Sequence, residues 1–333
     1  MKKVKSLFII LPLLAIALVI GGFYWWKTSL SPVSSDKTAV RFVIQKGWGA
    51  TQIGNKLAEK NLIKSALAFK IFVQISGKSS KIQAGEYSFS PSSSLPALVE
   101  KLLKGPDLLW VTIPEGYRLE EVARKFATDL EKEDAEGFVE EFTTKAKGKE
   151  GFLFPDSYLF PKDATVDKII SMMSSTFNSK TADLVDKVPS GMTLSQVVTL
   201  ASLIERETKT DAERPMVAGI LYNRIEGDWP LQVDASVQYA VTSSKLKVQD
   251  LKLGDFWQPL VKADLEIASP YNTYKYQGLP PAPICNPGMS SIEAAFSPEG
   301  NNYWFYLHDA DGQIHYAETI EEHNANIAKY LGK

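Results

Sequence analysis

Between Ser6 and Trp26 the chain carries no formal charge, and Lys2, Lys3 and Lys5 stand just before that run. A run of roughly 20 apolar residues is what a bilayer span requires, so the segment predicts a single transmembrane helix over 6–26. The cationic end stays inside. Residues 1–5 then form a short cytoplasmic tail, and everything beyond Trp26 lies on the outer, periplasmic side of the cytoplasmic (inner) membrane. Tyr24, Trp25 and Trp26 fall where an interfacial aromatic belt would sit. A cleaved signal peptide would show a shorter apolar core followed by a small-x-small site. Here bulky aromatics follow, and no cysteine stands near position 25 to take a lipid.

Across the 333 residues, hydrophobic side chains make up 44% and charged ones 23%, enough apolar material for two or three domains. The formal net charge of -2 supplies no field that would draw in nucleic acid, and that partner class is excluded. Cys285 is the sole cysteine, which rules out an intramolecular disulfide framework and a thiolate metal cluster. The three histidines, His308, His315 and His323, all lie near the C-terminus, so no histidine-built centre stands in mid-chain. There is no glycine-rich phosphate loop, no paired CxxC and no HExxH. Neither a cofactor nor a metal is expected, and acid/base work by carboxylates is what remains.

The soluble part opens on a repeat. Residues 27–40 are polar and read as a linker. Ile44, Gly47, Trp48, Ile53 and Leu57 then recur as Ile113, Gly116, Tyr117, Val122 and Phe126, at a constant offset of 69. Tyr87, Leu95, Leu98, Val99 and Leu102 recur as Tyr158, Val166, Ile169, Ile170 and Met173, at an offset of 71. Matched clusters in the same order indicate two tandem copies of one unit. Each copy predicts a strand, a glycine turn, two helices, a strand around the matched tyrosine and a further helix. Copy one occupies 41–106 and copy two 107–177, with Gly105-Pro106 breaking regular structure between them. The remainder, 178–333, predicts helices over Thr193–Thr208, Asp211–Glu226 and Ala235–Thr242. A turn-rich stretch follows, then a hairpin through Asp311-Gly312 and a last helix from Ile320. The fold class is α+β.

Ile204-Glu205-Arg206-Glu207-Thr208 is the most suggestive site. On a helical wheel Ser195, Thr199, Ser202 and Arg206 form a polar stripe, and Glu205 and Glu207 flank the opposite apolar face. A carboxyl wedged beside such a face loses hydration and holds its proton more tightly, as a general acid must. The wheel does not choose between the two glutamates. A plain helix end returning to solvent would look much the same.

The run LASLIERET (200–208), then Glu213-Arg214, LYNRI (221–225), LQVDASVQYA (231–240), SPYNTY (269–274) and GLPPAPICNPG (278–288) resembles the YceG-like family. Endolytic murein transglycosylases of the MltG type belong to it. GFLFPDSYLFP (151–161) and HYAETIEEHN (315–324) resemble it too. Ala282 departs from a usual glycine and Cys285 from a common alanine. The resemblance implies a membrane-anchored chain with a LysM-like module over 41–106. A second LysM-like repeat forms part of the catalytic unit, and 178–333 is the catalytic core. It places the catalytic glutamate at Glu205. It further implies a lytic transglycosylase that cuts the MurNAc–GlcNAc bond of peptidoglycan glycan strands without water, beside the penicillin-binding synthases of the cell wall.

Asn223, Arg224, Gln232, Asp234, Ser236, Tyr271, Asn272, Thr273 and Tyr274 lie inside these motifs and are candidates to bind the glycan. Amides and hydroxyls suit a hydroxyl-rich sugar, and tyrosine rings can stack on it. Arg224 could meet a muramyl-peptide carboxylate, or pair with Glu226 or Glu205. Asp234 is the second carboxylate a muramidase hydrolase would pair with Glu205, or else the cap of the helix opening at Ala235. A non-catalytic glycan-binding scaffold is a further alternative. A pyridoxal-phosphate lyase would need a Schiff-base lysine and a phosphate cup, and the anchor argues against it.

Overall fold

The computed structural model describes residues 2–77, 81–245 and 254–332. It is a mixed α+β fold. Helix α1, Lys2–Leu30, contains the segment expected to cross the membrane. The side chains of 2–12 and 15 lie outside the described residues, and among the described residues no helix is long and apolar enough to cross a membrane. Leu18, Val19, Ile20 and Phe23 of α1 are exposed, whereas Trp26 and Leu30 pack on the core that follows.

The contacts divide the chain into two compact units. One runs to Trp110 and includes Leu159–Lys162; the other holds Val111–Tyr158 and Asp163 onward. The first contains β1 (Val40–Ile44), α2 (Ala50–Glu59), α3 (Ala66–Ile75), β2 (Gly85–Phe89), α4 (Leu95–Lys104) and the start of β3 (Leu108–Thr112). β1 and β2 pair antiparallel with Phe42 opposite Tyr87, and β2 pairs antiparallel with β3. Alternation buries Phe42 and Ile44 from β1 with Tyr87 and Phe89 from β2. From α4, Leu95, Leu98, Val99 and Leu102 close the core, the i, i+3, i+4, i+7 stripe of an amphipathic helix. Each such side chain contributes roughly 1.5–3 kcal/mol on burial.

The same element order returns in β3, α5 (Leu119–Asp129), α6 (Ala135–Lys145), β4 (Ser157–Phe160) and α7 (Val166–Thr181). The match extends to single bonds. Gly47 and Gly116 both turn with positive φ, at 90° and 76°. Gly49 N–H donates to Gln52 Oε1 and Arg118 N–H to Glu121 Oε2, both at 3.1 Å, so each following helix starts on the same capping device. Tyr87 and Tyr158 each turn the hydroxyl back to a carbonyl four residues earlier, Gln83 at 2.8 Å and Phe154 at 2.6 Å.

The rest of the second unit is built around α8 (Leu194–Glu207), which starts on a Thr193–Gln196 capping box. α9 (Arg214–Glu226), α10 (Asp234–Lys245), α11 (Met289–Phe296), the hairpin β5 (Phe305–His308) and β6 (Ile314–Ala317), and α12 (Ile320–Asn326) complete it. The wheel reading of α8 needs correction. Within its polar stripe Thr199 and Ser202 are buried, while Ser195 is exposed and Arg206 partly so. Ser202 accepts the Ile284 N–H at 3.0 Å and Thr199 bonds back to Ser195 O, so small hydroxyls there let another backbone approach.

Candidate active site

Glu205 stands in the last turn of α8 with its side chain only 7% exposed. Its Oε2 accepts the Gly288 backbone N–H at 3.0 Å and the Ser291 hydroxyl at 2.6 Å. Its Oε1 faces Arg214 Nη2 at 3.4 Å. Gly288 is the N-cap of α11, so the carboxyl meets a helix end whose first N–H groups have no partner within the helix.

A second carboxylate lies beside it. Glu115, from the turn after β3, places its carboxyl 3.8 Å from the same Arg214 Nη2 and remains half exposed. Burial and the charge of Glu205 push the Glu115 carboxyl above its ordinary range, while Arg214 pulls the other way. Arg214 is nearly buried and also pairs with Asp211.

Asn286 ties the surrounding loops together. Its Oδ1 accepts the N–H groups of Gly151 and Leu153, at 3.0 and 3.1 Å. Its Nδ2 donates to Tyr117 O at 3.0 Å and to Glu150 Oε1 at 3.1 Å. The turn 115–118, the 151–155 segment and the 286–288 loop thus share one buried amide. Phe154 joins the core built by α8 and α9. Burial drives the Glu150 carboxyl well above its usual range, Glu120 adding to the effect and Arg118 opposing it.

Glu207, two residues on, faces the other way. The residue is partly exposed, yet its carboxyl is enclosed, and burial raises it to about 7 with Asp234 adding to the rise. Tyr306 donates its hydroxyl to Glu207 Oε2 at 2.7 Å, and Tyr274 donates to Asp234 Oδ1 at 2.6 Å. A cavity of about 420 Å³ opens here, lined by Glu207, Asp234, Gln232, Tyr274 and Tyr306 among others. Gln232 holds φ 52, a left-handed conformation uncommon outside glycine, and stays exposed.

The other candidates spend their polar atoms internally. Arg224 is buried, with Nε and Nη1 given to the Trp304 and Leu231 carbonyls; it pairs with neither Glu226 nor Glu205 but does line the 420 Å³ cavity. Asn223 donates to Asn301 O and Tyr303 O, each at 3.0 Å. Ser236 and Thr273 bond each other at 2.9 Å, Asn272 holds the Leu265 and Ile267 carbonyls, and the Tyr271 ring lies 4.8 Å from that of Tyr239. His308 contacts Glu213 and His315 contacts Asp309. Glu115, Asn286, Gly288 and Ser291 form the surroundings of Glu205 that residue-by-residue reading passes over. The one sequence signal for Glu115 is its place beside the repeated turn glycine.

The chain is similar to known proteins over most of its length. An endolytic murein transglycosylase of Bacillus subtilis is 34% identical to the chain, over 94% of this chain and 91% of that protein. One from Streptococcus pneumoniae is 29% identical over 93% of this chain, which spans 62% of that longer protein. A crystal structure of a yceG-like protein from Listeria monocytogenes matches with a TM-score of 0.59 and 29% identity, covering 86% of this chain and 98% of that one. The profile of the YceG-like family matches residues 42–329, and the chain belongs to that family.

Proposed function

We propose that the chain is an endolytic peptidoglycan transglycosylase that breaks the MurNAc–GlcNAc β-1,4 bond and leaves 1,6-anhydroMurNAc ends, with Glu205 as its acid and base. The observation that carries this reading is the Glu205 carboxyl itself, enclosed, held from three sides and next to a half-open second carboxylate. A positioned carboxyl gives its proton to the leaving glycosidic oxygen as the bond to C1 breaks. The muramyl C6 hydroxyl closes onto C1 and returns a proton to the carboxylate, so no water is consumed. One group serving first as acid and then as base is the switch also used by retaining glycosidases.

Gln232, Asp234 and Tyr274, around the 420 Å³ cavity, offer amide, carboxylate and phenol to a sugar. Asp234 keeps company with Glu207 rather than Glu205, which weighs against a hydrolase built on Glu205 and Asp234. A second reading takes Glu207 as the acid, since its carboxyl titrates near neutrality beside that cavity.

The exposed apolar face of α1 supports a membrane anchor over 6–26, with the catalytic unit outside, trimming or terminating nascent strands beside the penicillin-binding synthases. The decisive experiment digests purified glycan strands with the wild-type chain, Glu205→Gln and Glu207→Gln, and weighs the products. Anhydro ends lost with Glu205→Gln support the reading. Reducing ends would indicate a hydrolase, and loss with Glu207→Gln alone would move the acid to Glu207.

A further inference from the structure

We propose that Glu115 and Glu205 work as one carboxylate pair across Arg214, with Glu115 a positioning residue that keeps a proton at the disposal of Glu205; this rests on the transglycosylase reading above.

The geometry is specific. One guanidinium nitrogen, Arg214 Nη2, lies 3.4 Å from Glu205 Oε1 and 3.8 Å from Glu115 Oε2. Gly288 separates the two carboxyls. Its N–H goes to Glu205, and a Cβ added to it would fall 2.0 Å from Glu115 Oε1. Gly288 is therefore small so that Glu115 can come close. Gly116, whose positive φ of 76° makes the turn, lies against the same site: a Cβ there would stand in ordinary contact, 3.6 Å, with Glu205 Cγ.

The charge count points the same way. Arg214 faces three carboxylates, those of Asp211, Glu205 and Glu115. Arg206 is the other cation nearby, with Nη1 3.2 Å from a Cβ added to Gly116, and it is engaged over the Trp257 ring at 4.0 Å. Like charges this close resist ionising together, which favours a proton on Glu115, the half-exposed member. Burial first, then the charges of Glu205 and Asp211, raise the Glu115 carboxyl against the pull of Arg214.

The duplication provides an internal control. The position equivalent to Glu115 in the first copy, 69 residues earlier, is Lys46, which is exposed. Both copies make the turn on the following glycine, Gly47 or Gly116. The turn therefore forms without a carboxylate, and Glu115 answers to the site rather than to the fold. In the reaction the pair loses its proton to the leaving glycosidic oxygen as the bond to C1 breaks. It regains one from the C6 hydroxyl as that oxygen bonds C1, and so ends as it began.

The test compares the full-length wild type, Glu115→Gln and Glu115→Asp on isolated glycan strands, reading kcat, KM and the pH profile of kcat/KM. Glu115→Gln should lower kcat about 10-fold or more with little change in KM and displace one limb of the profile, and Glu115→Asp should recover part of both. Gly288→Ala, which crowds Glu115 but keeps the N–H to Glu205, should displace the same limb; it decides the question if Glu115→Gln fails to fold. A profile superimposable on wild type with kcat within about twofold overturns the pair. If the wild type releases reducing ends, the transglycosylase reading falls, and the same pH comparison on those products still decides whether the pair exists.

Discussion

Ser291 gives its hydroxyl to Glu205 Oε2 at 2.6 Å, on the same oxygen that takes the Gly288 N–H at 3.0 Å. Two donors from the first turn of α11 thereby aim one carboxyl. Ser291→Ala leaves Oε2 with the Gly288 bond, so stability should fall by only about 1 kcal/mol. Activity should fall more, because a misplacement of about 1 Å can cost roughly 100-fold in rate. Parallel measurement of kcat and of the denaturant midpoint checks this. A midpoint shift with unchanged kcat would make Ser291 purely structural.

Glu205→Gln preserves the size of the side chain and its approach to Gly288, but has no proton to transfer. Cleavage should drop by about 100-fold or more while the unfolding curve stays close to wild type. A variant retaining over about a tenth of the wild-type rate would remove Glu205 from the chemistry.

Glu207 should make stability fall with rising pH. Its folded carboxyl sits at about 7 against an unfolded value of 4.5, so it is raised. A raised carboxyl contributes fully below the unfolded value, and that contribution is lost as pH climbs through the folded one. Between about pH 4.5 and 7 the wild type should lose stability relative to Glu207→Gln, by at most about 3 kcal/mol and less with solvent screening. Denaturant unfolding of both proteins at about pH 5 and about pH 8 measures it, and parallel pH dependences would refute the assignment.

Asn286→Ala should be among the most damaging single substitutions. It orphans the Gly151 and Leu153 N–H groups, the Tyr117 carbonyl and Glu150 Oε1 at once. An unmet buried group costs about 1–3 kcal/mol, and water entry offsets part of it, so a loss of about 3–5 kcal/mol is expected. Urea unfolding reads the value directly. A loss below about 1 kcal/mol would mean that the three loops hold together without this amide.

If the proposed anchor over 6–26 holds, chain recovered from membranes keeps its N-terminus and resists extraction by high salt. A soluble form beginning near Ser31 would show cleavage instead.

Element order was legible because its causes are local. The Thr193 cap, the i, i+3, i+4, i+7 apolar stripe of α4 and the turn glycines Gly47 and Gly116 each act within one or two turns of chain. Duplication was legible for the same reason, since matched residues repeat matched local bonds. The family motifs brought Glu205 forward as a candidate, although the helical wheel alone left it level with Glu207. The wheel also misread the Thr199 and Ser202 stripe, because a hydroxyl facing solvent and one holding a buried backbone N–H look alike in sequence.

Sequence by itself therefore determined the α+β element plan, the repeated element order and the two candidate glutamates, all of which follow from residue type and short-range spacing. Only the tertiary structure decided which groups meet. It set Glu115 against Glu205 through Arg214, gave Asp234 to Tyr274 and the Glu207 side, and spent Arg224 on two carbonyls. Each of those pairings depends on packing between distant segments, so no local pattern in the chain encodes it.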